Sequence, residues 1–231
     1  AISEKGSLHS EIVVQSRSAF ELGHYFDVAR DFAQSGKTER ASVLYRQVIA
    51  QCARLGDKKQ HARAFRHLGN LFLSQGRLGR AEKMLHQSLR LCLQTGEPLE
   101  EAYALNSLAC VQFHRGKWQK MERICRRIIA IADSTQCNRL CACAYNNLGA
   151  MYSLRGFEEQ ALLAFQVSLP LFESEGDVQG LAEAYNNLAT VYREKKIWRE
   201  ARKHYANSLH FARLAEDAYK GAKAPLNKDE M

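Results

Sequence analysis

The sequence repeats every 40 residues, and this period limits the available folds more than any other feature. Small residues stand at Ala29, Gly69, Ala109, Gly149 and Ala189, each 40 after the last. Val28, Leu68, Leu108, Leu148 and Leu188 come just before them. Three residues earlier still stand Tyr25, Phe65, Leu105, Tyr145 and Tyr185. Three residues after the small residue come Phe32, Phe72, Gln112, Tyr152 and Tyr192. Offsets of 3, 1 and 3 lie on one face of an α-helix. Gly36, Gly76, Gly116 and Gly156 follow, where a glycine takes φ > 0 and ends a helix. A second apolar series begins at Ala41, Ala81, Met121, Ala161 and Ala201. It continues four residues on with Tyr45, Leu85, Cys125, Phe165 and Tyr205, and Gly56, Gly96 and Gly176 mark a second turn. Nine of the 14 glycines fall in three slots of this unit, so each unit reads as helix, turn, helix, turn. One such hairpin cannot bury its apolar face, whereas stacked hairpins share a continuous core.

The rest of the composition agrees. Of 231 residues, 46% are hydrophobic and 25% charged, which excludes a wholly disordered chain. Three prolines and no glycine triplet period exclude a collagen-like fibre. No apolar run approaches the ~18 residues that cross a bilayer. The stretch from Ala1 to Ser10 lacks the apolar core of a secretory signal, and a chain opening at Ala1 points to a processed or excised piece. The seven cysteines, an odd number in helical segments, are expected to be reduced, buried thiols of a cytoplasmic protein. Cys137, Cys141 and Cys143 hint at a metal site, but zinc takes four ligands and no second pair follows. No metal or other cofactor is expected.

In the fourth unit the pattern is Leu148, Gly149, Tyr152, Gly156, Ala161 and Phe165. It resembles the tetratricopeptide repeat. The resemblance implies an all-α, right-handed superhelical solenoid of about five helix-turn-helix repeats, at about 22–61, 62–101, 102–141, 142–181 and 182–220. An N-terminal extension or cap over 1–17 and a flexible tail over 221–231 complete the chain. The period exceeds the common 34 residues, so the helices are longer by about 9 Å in total. This long form is similar to kinesin light chain, LGN-type adaptors and bacterial Rap-like regulators. Three departures stand out: Gln112 replaces an aromatic in repeat three, Lys195-Lys196 replaces the turn glycine in repeat five, and Pro170, inside a helix, is expected to kink it.

In the family resembled, the first helices of successive repeats line a groove. One slot of that helix carries Asn106, Asn146 and Asn186, and the next carries Ser107, Asn147 and Asn187, with Asn70 a turn away in repeat two. An amide both donates and accepts, so it can hold an extended peptide backbone without reading its sequence. The other reading is that these asparagines bridge adjacent helices or face water. Arg30, Arg63 and Arg66 make the N-terminal half basic and suit carboxylates or phosphates. Tyr103 and Phe113 are either apolar anchors for a ligand or core residues.

Residues 115–127 hold six cations against Glu122, a net +5 of the chain's +8. Lys120, Arg123 and Arg127 share one face of the second helix in repeat three. A solvated face is the plainer reading; an acidic protein, an anionic membrane surface or RNA is the alternative. No catalytic motif is present. Ser35-Gly36-Lys37-Thr38 echoes a phosphate-binding loop but has Asp31 where that loop needs its first glycine. The expectation is a non-enzymatic adaptor that binds an extended, partly acidic peptide of a protein partner. Its rival is a ligand- or peptide-sensing regulatory domain of a bacterial signalling protein. RNA binding through 115–127 is a weaker third.

Overall fold

A turn slot every 20 residues cuts residues 38–194 into helices of 17 or 18 residues, long enough for five turns of amphipathic packing. The structure, a computed structural model, describes residues 22–223. Helix α1 runs through 22–34. It is followed by α2 (Thr38–Leu55), α3 (Lys58–Ser74), α4 (Leu78–Thr95), α5 (Pro98–His114), α6 (Trp118–Thr135), α7 (Asn138–Leu154), α8 (Glu158–Ser174), α9 (Val178–Glu194) and α10 (Trp198–Lys223). No strand occurs among the described residues. Helix α10 reaches three residues into the expected tail. The segments 1–17 and 224–231 lie outside the described residues.

The helix starts follow from local chemistry. Asp57 and Asp177 cap α3 and α9, each accepting a backbone N–H three residues on at 2.9 Å. Pro98 occupies the first helical position of α5, where its missing donor costs nothing. Pro170 lies inside α8, which runs unbroken to Ser174. The missing donor would have met the carbonyl of Gln166, an exposed residue.

All nine turn slots take the left-handed conformation. Seven hold glycine, with φ between 61° and 77°. The other two hold Gln136 at φ 53° and Lys196 at φ 60°. The turn therefore keeps its form where the glycine is missing, at a cost of roughly 1–2 kcal/mol per residue from Cβ crowding.

The described chain divides into two compact units, one ending at Val111 and the other starting at Gln112. In the first unit α3 packs on α4 and α2 on α3. In the second, α7 packs on α8 and α9 on α10, while α6 meets α7, and α9 meets both α8 and α7. The same contacts recur in register. Ser88 donates to the carbonyl of Ala62, and Ser208 to that of Ala182, both at 2.8 Å. Lys59 pairs with Glu97 at 3.0 Å, and Arg139 with Asp177 at 2.7 Å.

Size matching closes each core. A Cβ on Gly69 would lie 2.9 Å from Leu85 Cγ, and one on Gly149 2.6 Å from Phe165 Cε1. Another close approach is at Gly180, where a Cβ would fall 2.4 Å from Phe172. In the equivalent slots the sizes are reversed: Cys52, Cys92 and Ala132 are small, and Gln60, Glu100 and Leu140 are large. A large residue on one helix is thus met by a small one on the next.

Candidate functional site

In the first unit, α1 and α3 enclose a cavity of about 250 Å³. Leu22 and Phe26 give it an apolar wall, and Arg30, Gln60, Arg63 and His67 bring polar groups. His67 stacks on Tyr45 with ring centroids 5.7 Å apart and meets Phe26 edge-on at 5.6 Å. Burial pulls its imidazole down to about 3, and the guanidiniums of Arg66, Arg63 and Arg30 push the same way. It is therefore neutral at ordinary pH.

The arginines of the expected basic half-groove meet carboxylates of the chain itself. Glu100, from α5 of the same unit, forms an ion pair with Arg63 at 3.2 Å and accepts a hydrogen bond from Arg66 at 3.3 Å. The Arg66 guanidinium also lies 5.3 Å above the half-buried Tyr103 ring. Arg30 pairs with Asp27 at 2.8 Å. Consecutive first helices bring 60-series and 100-series residues side by side, and one Glu100 between two guanidiniums leaves the group net positive. Asn70 lies on the same helix with its Oδ1 buried and no hydrogen-bond partner.

In the second unit, Asn187 Nδ2 donates to Asn146 Oδ1 at 3.2 Å, joining α9 to α7. Asn146 is only 6% exposed. Asn186, one repeat later in the same slot, is exposed, and no further first helix follows among the described residues. This slot is the contact line between neighbouring first helices, so Asn146 does not present a free amide to a ligand. Asn106 and Asn147 are half-buried. Of the expected asparagine ladder, Asn187 borders a cavity.

That cavity measures about 160 Å³. Asn187, Thr190 and Glu194 come from α9, and Ala150, Ser153 and Leu154 from α7. Phe113 closes it, so the structure brings Phe113 and Asn187 together. The Thr190 hydroxyl is bonded to the Asn186 carbonyl at 3.0 Å and lies 3.3 Å from Tyr205 Oη. Sequence reasoning missed Ala150, Ser153, Thr190 and Glu100. The signal was present in the 150/190 slot, three residues beyond Asn147 and Asn187 on the same face.

On α6, Lys120, Arg123 and Arg127 are exposed, on the side away from the buried Met121, Ile124, Cys125 and Ile128. Arg123 Nε bonds the Gln119 carbonyl at 3.3 Å, and Arg126 pairs with Glu122 at 2.7 Å. Among the described residues, no three His, Cys, Asp or Glu side chains are grouped to hold a metal ion. Among them also, no helix is long and apolar enough to cross a membrane.

The family model of the tetratricopeptide repeat matches residues 64–99 and residues 181–215. No curated protein sequence matches the chain. Several solved structures share its fold. BtubC (BKLC) from P. vanneervenii is 19% identical with a TM-score of 0.67, covering 90% of this chain and 92% of that one. RapI in its apo form is 15% identical with a TM-score of 0.68, covering 88% and 74%. A putative kinesin light chain from Podosopora anserina, with nearly identical TPR-like repeats, is 16% identical with a TM-score of 0.62, covering 85% and 97%. At these identities the likeness is one of fold: an all-α helical-repeat solenoid.

Proposed function

We propose that this tetratricopeptide-repeat protein is a non-enzymatic interaction module that takes an extended segment of a partner protein across its first helices. The observation that carries this reading is the cavity between α7 and α9. It has an apolar wall of Phe113, Ala150 and Leu154 beside the polar groups of Asn187, Thr190 and Ser153. An apolar side chain fits the wall while the polar groups reach the peptide backbone next to it. The cavity in the first unit and the unpaired Oδ1 of Asn70 offer a second pair of such elements. Glu100 offsets one of the two charges of Arg63 and Arg66, which reduces the demand for an acidic ligand without removing it. The segment is selected by apolar side chains spaced along an extended backbone.

The test is affinity capture with wild-type chain, Phe113→Ser and Asn187→Ala, read by mass spectrometry and then by titration of the captured peptide. Loss of about 1.4 kcal/mol, a tenfold weaker Kd, is expected for each variant. Equal affinity across all three would sink the reading.

A regulatory, ligand-sensing role is the second reading. One structure of the same fold is a Rap protein complexed with Competence and Sporulation Factor. In this chain the division between compact units falls at Gln112, within the repeat that breaks the pattern. Solution scattering with and without the captured peptide separates the readings, since an adaptor keeps its profile and a sensor changes it.

A further inference from the structure

The turns that join the first and second helices in the second unit are unlike those of the first. Leu154 and Trp198 are 62% and 63% exposed, and Phe157 and Ile197 are 42% and 41%. All four lie at such turns, one after α7 and one after α9. In the first unit the matching turns, at 35–38 and 75–78, expose no large apolar side chain. The two apolar turns are neighbours: Lys195, beside Ile197, bonds Glu158, beside Phe157, at 3.0 Å. Cations accompany them. Lys117, Arg155, Lys196 and Arg199 are exposed, and the Arg155 guanidinium lies 4.6 Å from the Phe157 ring centroid. Across 115–118, 154–159 and 194–199 there are six cations and three carboxylates. Of the carboxylates, Glu158 is paired with Lys195, and Glu194 lies 3.9 Å from Arg193.

We propose that this turn edge of the second unit docks on an anionic lipid bilayer, with Trp198, Ile197, Phe157 and Leu154 entering the interface. Lys117, Arg155, Lys196 and Arg199 would meet the headgroups. The choice of a bilayer rests on the form and charge of the edge. Its apolar side chains stand two to a turn, at two neighbouring turn tips. A protein partner would have to provide a pocket for each. A headgroup region accepts an isolated tryptophan or branched side chain without one, and Trp is favoured at that depth. The net positive charge complements an anionic leaflet, and neither signal suffices alone. The edge shares Leu154 and Glu194 with the cavity proposed to hold peptide, and the variants below touch neither, so lipid and peptide binding are independently testable.

The experiment is co-sedimentation of the full chain with vesicles of phosphatidylcholine alone, and of phosphatidylcholine with phosphatidylserine at about two to one. The expected result is partition to the anionic vesicles only, weakened by salt. In a Trp118→Phe background, which leaves Trp198 as the sole tryptophan, the emission should shift to the blue on those vesicles. Trp198→Ala with Ile197→Ser, or Lys117→Glu with Arg155→Glu and Lys196→Glu, should reduce partition at least about fivefold. Circular dichroism confirms that each variant is folded. No partition to anionic vesicles, or unchanged partition of both variants, overturns the proposal. So does loss of partition in Arg123→Glu/Arg127→Glu with the turn variants unaffected, which would move the contact to α6. Loss of lipid binding in the turn variants with peptide affinity intact supports the edge without bearing on the peptide site.

Discussion

Asn187 donates to Asn146 across 3.2 Å, and through this bond one first helix holds its successor. The partners are 41 residues apart, so the repeat itself builds the bond: the residue that follows a slot in one unit meets the slot of the unit before it. Asn146→Ala and Asn187→Ala should each cost about 1 kcal/mol. A double-mutant cycle should return a coupling of similar size, measured by urea denaturation. Asn186→Ala, at the exposed copy of the slot, should leave stability within about 0.5 kcal/mol of wild type.

The glycines at the helix crossings are the least replaceable small residues. Gly149→Ala sets a methyl group 2.6 Å from Phe165, and Gly180→Ala sets one 2.4 Å from Phe172, both fully buried rings. Each should destabilise by about 1–3 kcal/mol through overpacking. Adding Phe172→Cys to Gly180→Ala, which reproduces the small residue of earlier repeats, should recover part of the loss. Thermal melts of the two single variants and the pair decide this.

At the turns the direction reverses. Lys196→Gly and Gln136→Gly should stabilise the fold by about 1 kcal/mol each, because each removes a Cβ from a left-handed residue. Gly156→Val should destabilise by a similar amount or more. If Lys196→Gly has the lower melting temperature, the turn is not under the strain its φ implies.

The half-buried His67 makes stability depend on pH. Its folded pKa lies near 3, below the ordinary 6.5, so the unfolded chain binds the extra proton between those values. Its contribution is complete above about pH 6.5 and declines as pH falls toward 3. The loss from this residue should be about 2 kcal/mol between pH 7 and pH 5. His67→Phe should flatten the curve over that window, as read by urea midpoints at the two pH values.

The repeat was legible because helix periodicity, turn glycines and small crossing residues are local or strictly periodic signals. Leu148, Gly149 and Phe165 mark a helical hairpin by their spacing alone, and the turns at Gly36 and Gly156 are likewise readable. The candidate site was legible only in part. Phe113 and Asn187 do border one cavity, but Asn146 was ambiguous between groove and contact line. A slot at the edge of a helical face is assigned by its neighbour, and the sequence does not say how far one helix is rotated against the next.

By itself, then, the sequence determined the helices, their pairing into hairpins and the stacking of those hairpins, since each follows from apolar spacing and the need to bury it. Only the tertiary structure decided that Glu100 bridges Arg63 and Arg66, that Gly180 makes room for Phe172, and that Asn146 is bonded to Asn187. It also showed that Lys196 and Gln136 take a glycine's conformation. These depend on distances between residues far apart in the chain, and burial and pairing energies are set by those distances and not by composition.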